Sequence, residues 1–164
     1  MSRAFVKEDA GGPDEDPPER PVSPHPNYVT PRGARLLQQA EERLVAELQD
    51  LSGAQADPAR RKKKRELERD LRYVRARLET AIPADPAAAP KDEVRFGARV
   101  RLRREGGGER TIRIVGEDEA EEGGEFVPWT GPFMQALLGL KAGQVLEWEG
   151  PEGPEGWTVV SIEY

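Results

Sequence analysis

Apolar residues in the first half of the chain recur at intervals of three and four. One stripe comprises Leu37, Ala40, Leu44, Leu48 and Leu51, and a second comprises Leu67, Leu71, Val74, Leu78 and Ile82. Each stripe follows a helix start signal, Thr30-Pro31 or Asp57-Pro58, in which a side-chain oxygen caps the helix and proline fits its first position. The pattern predicts two amphipathic helices, the second stopped by Pro83, that a short polar loop joins into an antiparallel hairpin.

In the second half of the chain, from Val94 onward, apolar and polar residues alternate, which is typical of half-buried strands. The segments that predict strands read VRFGARVRL, RTIRIVG, FVPW, QVLEWEG and WTVVSIEY. Gly97 suggests a bulge in the first of them. The segment GPFMQALLGL predicts a short helix that starts at Pro132 and has Gly139 near its end. The whole pattern predicts an α+β protein, with a helical hairpin followed by a small antiparallel sheet and one short helix.

Composition divides the chain into four predicted segments. Residues 1–27 hold six prolines and few apolar side chains, which predicts a disordered acidic tail. Residues 28–82 form the hairpin, and residues 83–91 form a Pro/Ala linker that is semi-stiff and not expected to fold. Residues 92–164 form the sheet domain.

The charge of the chain is unevenly distributed. The 164 residues carry a net charge of −6, yet residues 28–82 hold thirteen basic and nine acidic side chains. Residues 83–164 hold nine basic and sixteen acidic ones. Two surfaces with different partners are therefore expected, whereas a simple duplex-DNA binder would need a broader cationic surface. The chain contains no cysteine, no apolar signal core and no apolar stretch long enough for a membrane span, so we expect a cytoplasmic protein.

Few residues suggest catalysis by the protein itself. The only histidine, His25, lies in the proline-rich tail, so no Ser-His-Asp arrangement is available. The acids from Glu117 to Glu122 do not have the spacing of a calcium loop, and they suggest a solvated loop or a docking surface for a basic partner. We therefore expect a protein that is not an enzyme and has no metal or cofactor of its own.

Six consecutive cations follow the second helix start signal. They are Arg60, Arg61, Lys62, Lys63, Lys64 and Arg65. A solvated helix face, contact with nucleic-acid phosphates, and a targeting signal are all compatible with this run. No aromatic residue lies among the cations, so base stacking is not predicted.

The order of short motifs along residues 27–164 resembles the GreA/GreB family of bacterial transcript-cleavage and elongation factors. The motifs are NYVTPRG, ERDLRYVRARLE, VRFGARVRL, IRIVGEDEA, GPFMQALLG, KAGQ and the terminal SIEY. The leading residues, which begin SRAFVKE, resemble a GreB-like subgroup with an N-terminal extension. The resemblance implies an FKBP-like second domain that docks on RNA polymerase at the rim of its secondary channel, while the hairpin enters the channel.

The resemblance also implies roles for particular residues. Acids at the hairpin tip help to hold a Mg²⁺ ion at the polymerase's own active site, where backtracked RNA is hydrolysed. The tip acids of this chain are Asp50 and Asp57. The cations Arg60 to Arg65 match the family's basic patch and would contact the nascent RNA. The expected polymerase-docking residues are Gly116, Asp118, Glu119, Trp129 and Pro132, although Trp129 is equally compatible with the core.

The tip departs from the family pattern, which leaves alternatives open. The family reads approximately D-x-x-E-N-x-x-Y, and this chain reads DLSGAQAD, so that Asp50 matches the first acid and Gly53 replaces the glutamate. The first helix is also shorter by about two heptads. One alternative is a regulator that occupies the channel without stimulating cleavage, as in short-armed family members such as Rnk. Another is a prolyl isomerase, suggested by the FKBP-like fold alone.

Overall fold

The computed structural model describes residues 16–53 and 57–164. They form two compact units. The first contains the described residues of Met1–Ser23 and Gln39–Arg77, and the second contains Pro24–Gln38 and Leu78–Tyr164. The division cuts through the first helix, whose initial turns belong to the second unit. The boundaries of the four predicted segments stay predictions. Among the helices of the described residues, none has the length and apolar character of a membrane span.

Both helices of the hairpin begin where the sequence predicts. Helix α1 spans Pro31–Asp50 and helix α2 spans Pro58–Glu79. The Thr30 hydroxyl oxygen accepts a hydrogen bond from the Gly33 N–H at 3.0 Å, and the Asp57 carboxylate accepts one from the Ala59 N–H at 3.0 Å. The buried apolar members of the two stripes are Leu37, Leu44, Leu67, Leu71 and Val74.

The predicted stop of α2 at Pro83 is wrong. The helix ends at Glu79, and Ile82–Pro83 forms a short strand β2 that pairs in parallel with strand β1, Tyr28–Val29. The Ile82 N–H donates to the Asn27 carbonyl at 2.8 Å. Proline disfavours the helical conformation of the residue before it, and this pairing stabilises the extended alternative.

The segment predicted as a linker contains regular structure in part. Pro86–Ala88 forms a single 3₁₀ turn, which the Asp85 carboxylate caps by accepting from the Ala87 N–H at 2.9 Å. The Pro86 ring packs against Gly97, where a Cβ atom would lie 2.5 Å from Pro86 Cγ. Gly97 has a φ of 87°, so it marks a turn before the first long strand and the predicted bulge is wrong at this position.

A five-stranded sheet dominates the second unit. Its strands are β3 (Arg99–Arg104), β4 (Glu109–Val115), β5 (Phe126–Pro128), β6 (Val145–Gly150) and β7 (Gly153–Glu163). Their order is β5-β4-β3-β7-β6, and all neighbours are antiparallel except β4 and β5. The α+β prediction is thus confirmed, while the prediction of a purely antiparallel sheet is wrong at the β5 edge. The observed irregularity lies in β7, opposite Arg101 and Leu102.

The core of the second unit lies between the sheet and helix α3, Pro132–Leu137. Its buried members are Val94, Ala98, Val100, Leu102, Ile112, Ile114, Met134, Leu137 and Val159. The C-terminal Tyr164 fastens the segment before β3, because its hydroxyl donates to the Glu93 carbonyl at 2.6 Å and accepts from the Arg95 N–H at 2.9 Å. Partial burial raises the pKa of this phenol.

The close approach of β1 to Gly116 provides a test of the fold. A Cβ atom at Gly116 would lie 2.4 Å from the Tyr28 carbonyl oxygen, so we expect Gly116→Ala to lower the free energy of unfolding by about 2 kcal/mol or more. Gly131→Ala is the matched control, because its Cβ atom would meet only ordinary contacts at 3.6 Å and beyond, and we expect a loss below about 1 kcal/mol. All three tryptophans lie in the second unit, so urea titration followed by tryptophan fluorescence measures both losses. Equal losses would contradict the observed approach.

Candidate functional site

The hairpin turn carries the two predicted tip acids. Asp50 is the last residue of α1 and is exposed, and among the described residues its side chain makes no hydrogen bond or ion pair. Asp57 is also exposed, but one of its carboxylate oxygens caps α2. Gly53 has open space around it within the described part of the chain, since a Cβ atom there would meet none of those residues within 4 Å. Among the described residues, Asp50 therefore has the carboxylate without a partner, whereas one oxygen of Asp57 is committed to the cap.

The six cations occupy the first two turns of α2. Arg60, Lys62, Lys63 and Lys64 are exposed, whereas Arg61 and Arg65 are half-buried. Lys64 lies 3.7 Å from Glu68, and Arg65 lies 3.7 Å from Asp16.

The exposed members of the run are poorly neutralised. Within the described part of the chain, Arg60, Lys62 and Lys63 make no ion pair. With the turn residues Leu51 and Ser52, four of the cations also line a cavity of about 210 Å³. This end of the hairpin presents concentrated positive charge to solvent, which suits contact with phosphates.

The predicted docking residues lie in the second unit and differ in accessibility. Pro132 is exposed at the start of α3, and Asp118 is half-exposed in a 3₁₀ turn that spans Glu117–Glu119. Trp129 packs in part against the core and makes an edge contact with the Tyr28 ring at 5.3 Å between centroids. Gly116 is buried beneath Tyr28. Asp118, Trp129 and Pro132 therefore retain accessible surface, whereas Gly116 is observed only as a close backbone contact with Tyr28.

Glu119 differs from its neighbours because its side chain is only 2% exposed. Its carboxylate accepts hydrogen bonds from the Thr30 hydroxyl at 2.5 Å and from the Arg32 guanidinium at 3.2 Å. Thr30 caps α1, and Arg32 lies in the first turn of that helix. In this arrangement the Glu119 carboxylate is not available to a partner, so the geometry argues against the prediction that Glu119 is a docking residue and gives it an internal role.

Arg32 joins several groups around Glu119. Its guanidinium also bonds Glu121 at 3.0 Å and lies 4.0 Å from the centroid of the Phe126 ring. Sequence reasoning found the Thr30 cap but missed this cluster. No local pattern encodes it, because Arg32 and Glu119 are 87 residues apart.

These features define a class of two-part proteins. One part is a helical hairpin with acids and cations at its turn, and the other is a sheet unit with an acidic surface loop. Residues 89–164 match the family model described as "Transcription elongation factor, GreA/GreB, C-term". A relative from Neisseria meningitidis serogroup B, named transcription elongation factor GreB, is 30% identical over 84% of this chain and 94% of its own length. A relative from Alkalilimnicola ehrlichii, named transcription elongation factor GreA, is 31% identical over 83% of this chain and 96% of its own.

The chain belongs to the GreA/GreB family. Among solved structures, a GreA/GreB factor from Nitrosomonas europaea is similar, with 27% identity, a TM-score of 0.43 and coverage of 84% of this chain and 98% of that one. The GreA factor homolog Gfh1 of Thermus thermophilus is similar at 22% identity and a TM-score of 0.38, over 85% of this chain and all of the other.

The internal role of Glu119 yields a prediction. Thr30→Ala removes both the cap of α1 and one donor to a buried carboxylate, so we expect it to lower the free energy of unfolding by about 2 kcal/mol. Thr30→Ser keeps the hydroxyl and should cost less than about 1 kcal/mol. Urea titration of the two variants compares these values, and a loss that is the same for serine and alanine would contradict the role of the hydroxyl.

Proposed function

We propose that this protein is a transcription elongation factor that binds bacterial RNA polymerase at its secondary channel and acts on backtracked complexes. The supporting observation is the hairpin turn, where the exposed Asp50 and the cationic start of α2 lie at the same end. The names of the GreB and GreA relatives support the elongation role. The protein acts as an accessory, and the hydrolysis belongs to the polymerase.

The sheet unit supplies the docking surface in this proposal. Asp118 offers a half-exposed carboxylate to basic groups of the polymerase, and Pro132 and the accessible part of Trp129 extend the surface. Opposite charges at such a surface favour rapid and specific association more than they raise affinity. Docking should therefore weaken as the salt concentration rises.

The hairpin tip supplies a carboxylate to the polymerase's active site. A Mg²⁺ ion held there can activate water and stabilise charge on a scissile phosphate. Asp50 is the residue that fits this role, because it is exposed and its carboxylate makes no hydrogen bond or ion pair within the described residues. Asp57 has one oxygen committed to the cap of α2 and would assist through the other. The cations Arg60 to Arg65 hold transcript phosphates nearby, a contact that is strongly salt-dependent.

Two observations favour a second candidate function, which is occupancy of the channel without cleavage. Gly53 stands where the family has its second acid, and α1 has only 20 residues, about 30 Å in length. A factor with this tip would bind polymerase and exclude an active GreB. Gly53→Glu distinguishes missing ligands from missing reach, because no described residue lies close enough to Gly53 to obstruct the longer side chain.

Transcript cleavage in a reconstituted backtracked complex tests the proposed tip. We expect Asp50→Ala to lower the stimulated cleavage rate at least about tenfold, the scale on which altered metal ligation changes activity. Glu42→Ala is the matched control, because it removes an exposed acid from the same helix away from the turn. Cleavage that is absent in the wild type, together with inhibition of an authentic GreB, would support channel occupancy. Failure to compete with GreB for polymerase would overturn the proposal.

The docking surface gives a separate prediction. Asp118→Asn should weaken binding to RNA polymerase severalfold, because it removes a negative charge from a half-exposed position, and should lower the free energy of unfolding by less than Glu119→Gln does. Glu119→Gln should instead lower the free energy of unfolding, because it weakens charge-assisted bonds to Thr30 and Arg32. Fluorescence anisotropy with labelled polymerase and urea titration measure the two effects. The opposite pattern would assign docking to Glu119.

A further inference from the structure

The described part of the N-terminal segment lies along α2 within the first unit. The Glu19 carboxylate accepts hydrogen bonds from the Arg72 guanidinium through both Nε and Nη2. Asp16 lies 3.7 Å from Arg65, the last member of the cationic run. Two acids of the segment thus neutralise two exposed or half-exposed arginines of the helix.

The next residue of the segment, Arg20, is basic and pairs with an acidic residue of α2. Its guanidinium lies 3.8 Å from Asp70 and 3.9 Å from the centroid of the Tyr73 ring. The acidic and basic residues of the segment therefore face residues of opposite charge on α2, and the aromatic contact adds to the ion pair. This alternation indicates a specific register of the segment on the helix.

The dimensions of the two partners match. From Arg65 to Tyr73 the helix rises about 12 Å. From Asp16 to Arg20 the segment contains Pro17 and Pro18, which favour an extended polyproline conformation with a rise of about 3.1 Å per residue, or about 12 Å in all. The two prolines therefore favour the spacing of charged residues that α2 requires, and they lower the conformational entropy that the segment loses on ordering.

The surface that the segment covers overlaps the surface proposed for nucleic acid. Arg65 belongs to the cationic run, and Arg72 continues the positive charge about two turns further along α2. In the sequence, Asp14 and Glu15 precede Asp16 and add to the negative charge of the segment, although they lie outside the described residues. Carboxylates bonded to guanidinium groups occupy positions that phosphates of RNA would take.

We propose that the acidic N-terminal segment and the phosphates of single-stranded RNA compete for the same cationic face of α2, so that the segment shields this face until RNA displaces it. This inference rests on the proposed function. The ion pairs are exposed and individually weak, so displacement by a polyanion requires no large rearrangement. The segment reduces non-specific binding to free RNA while leaving the face accessible inside a transcription complex.

Binding of a fluorescein-labelled single-stranded oligouridine to the full chain tests the inference. We expect the double variant Asp16→Asn/Glu19→Gln to bind the RNA about three- to tenfold more tightly at low salt, because its segment no longer competes. Glu147→Gln/Glu149→Gln is the matched control, since it makes the same change in net charge at exposed positions of the sheet unit. We expect less than about a twofold change from the control. Equal gains from both double variants would overturn the inference.

Two further measurements separate failure of this inference from failure of the proposed function. Lys62→Ala/Lys63→Ala should weaken RNA binding, and if it does not, or if no variant binds RNA, the proposed role of the cationic run fails and the competition fails with it. If the lysine variant weakens binding but the segment variant does not strengthen it, only the competition is overturned.

The absence of native cysteine permits a direct test of the contact itself. A short bismaleimide should cross-link Glu19→Cys/Arg72→Cys, because its span replaces the two long side chains that meet in the wild type, and the locked segment should lower RNA affinity relative to the unlinked variant. Excess RNA should slow the cross-linking, and single-cysteine variants provide the controls. Cross-linking at a rate that RNA does not change would overturn the competition.

Discussion

The buried carboxylate of Glu119 is the constraint on which the second unit depends most. An ionised carboxylate loses its hydration when it is buried, and the loss is tolerable only when the group is paired and hydrogen-bonded. Glu119 meets this requirement with Thr30 and Arg32, which lie at the first turn of α1. The carboxylate of Glu119 therefore links the first turn of the hairpin to the acidic loop after β4, and a shift that broke these contacts would leave a buried charge without its partners.

This constraint explains why neighbouring residues of the acidic segment Glu117–Glu119 differ in burial. Glu119 points inward and holds the unit together, whereas Asp118 keeps accessible surface. Gly116 completes the arrangement, because only a residue without Cβ allows the Tyr28 carbonyl to approach so closely. Glu119 thus forms buried contacts, Gly116 allows a close backbone approach, and Asp118 contributes charge at the surface. Their closeness in sequence says little about their separate roles.

In the first unit, apolar packing and concentrated positive charge are separated along α2. Its buried residues begin at Leu67, so the two turns before it contribute positive charge and little packing. Such a helix start can meet a polyanion without disturbing the apolar contacts that hold the hairpin. The cost is a concentration of like charges, which acids nearby in space relieve in part, as Glu68 and Asp16 do.

Local chemistry explains which features could be predicted from the sequence. The starts of α1 and α2, the short helix α3 and most strands follow from caps, prolines and alternation within a few residues. The parallel pairs β1–β2 and β4–β5 and the burial of Glu119 depend on contacts between distant residues, which no short window contains. The predicted end of α2 is wrong for the same reason, because the residues that would form one more helical turn pair with β1 instead. The roles of Asp50, Asp57 and the cationic run stay predictions because they concern a partner.

The central claim is that the hairpin tip reaches the catalytic centre of RNA polymerase. The most direct measurement attaches an iron chelate to Gly53→Cys, in a chain that has no other cysteine, and maps hydroxyl-radical cuts in a backtracked complex. We predict cuts in the polymerase segments around its catalytic Mg²⁺ and near the RNA 3′ end. Cuts confined to the outer surface of the polymerase, or no cuts above background, would contradict the claim.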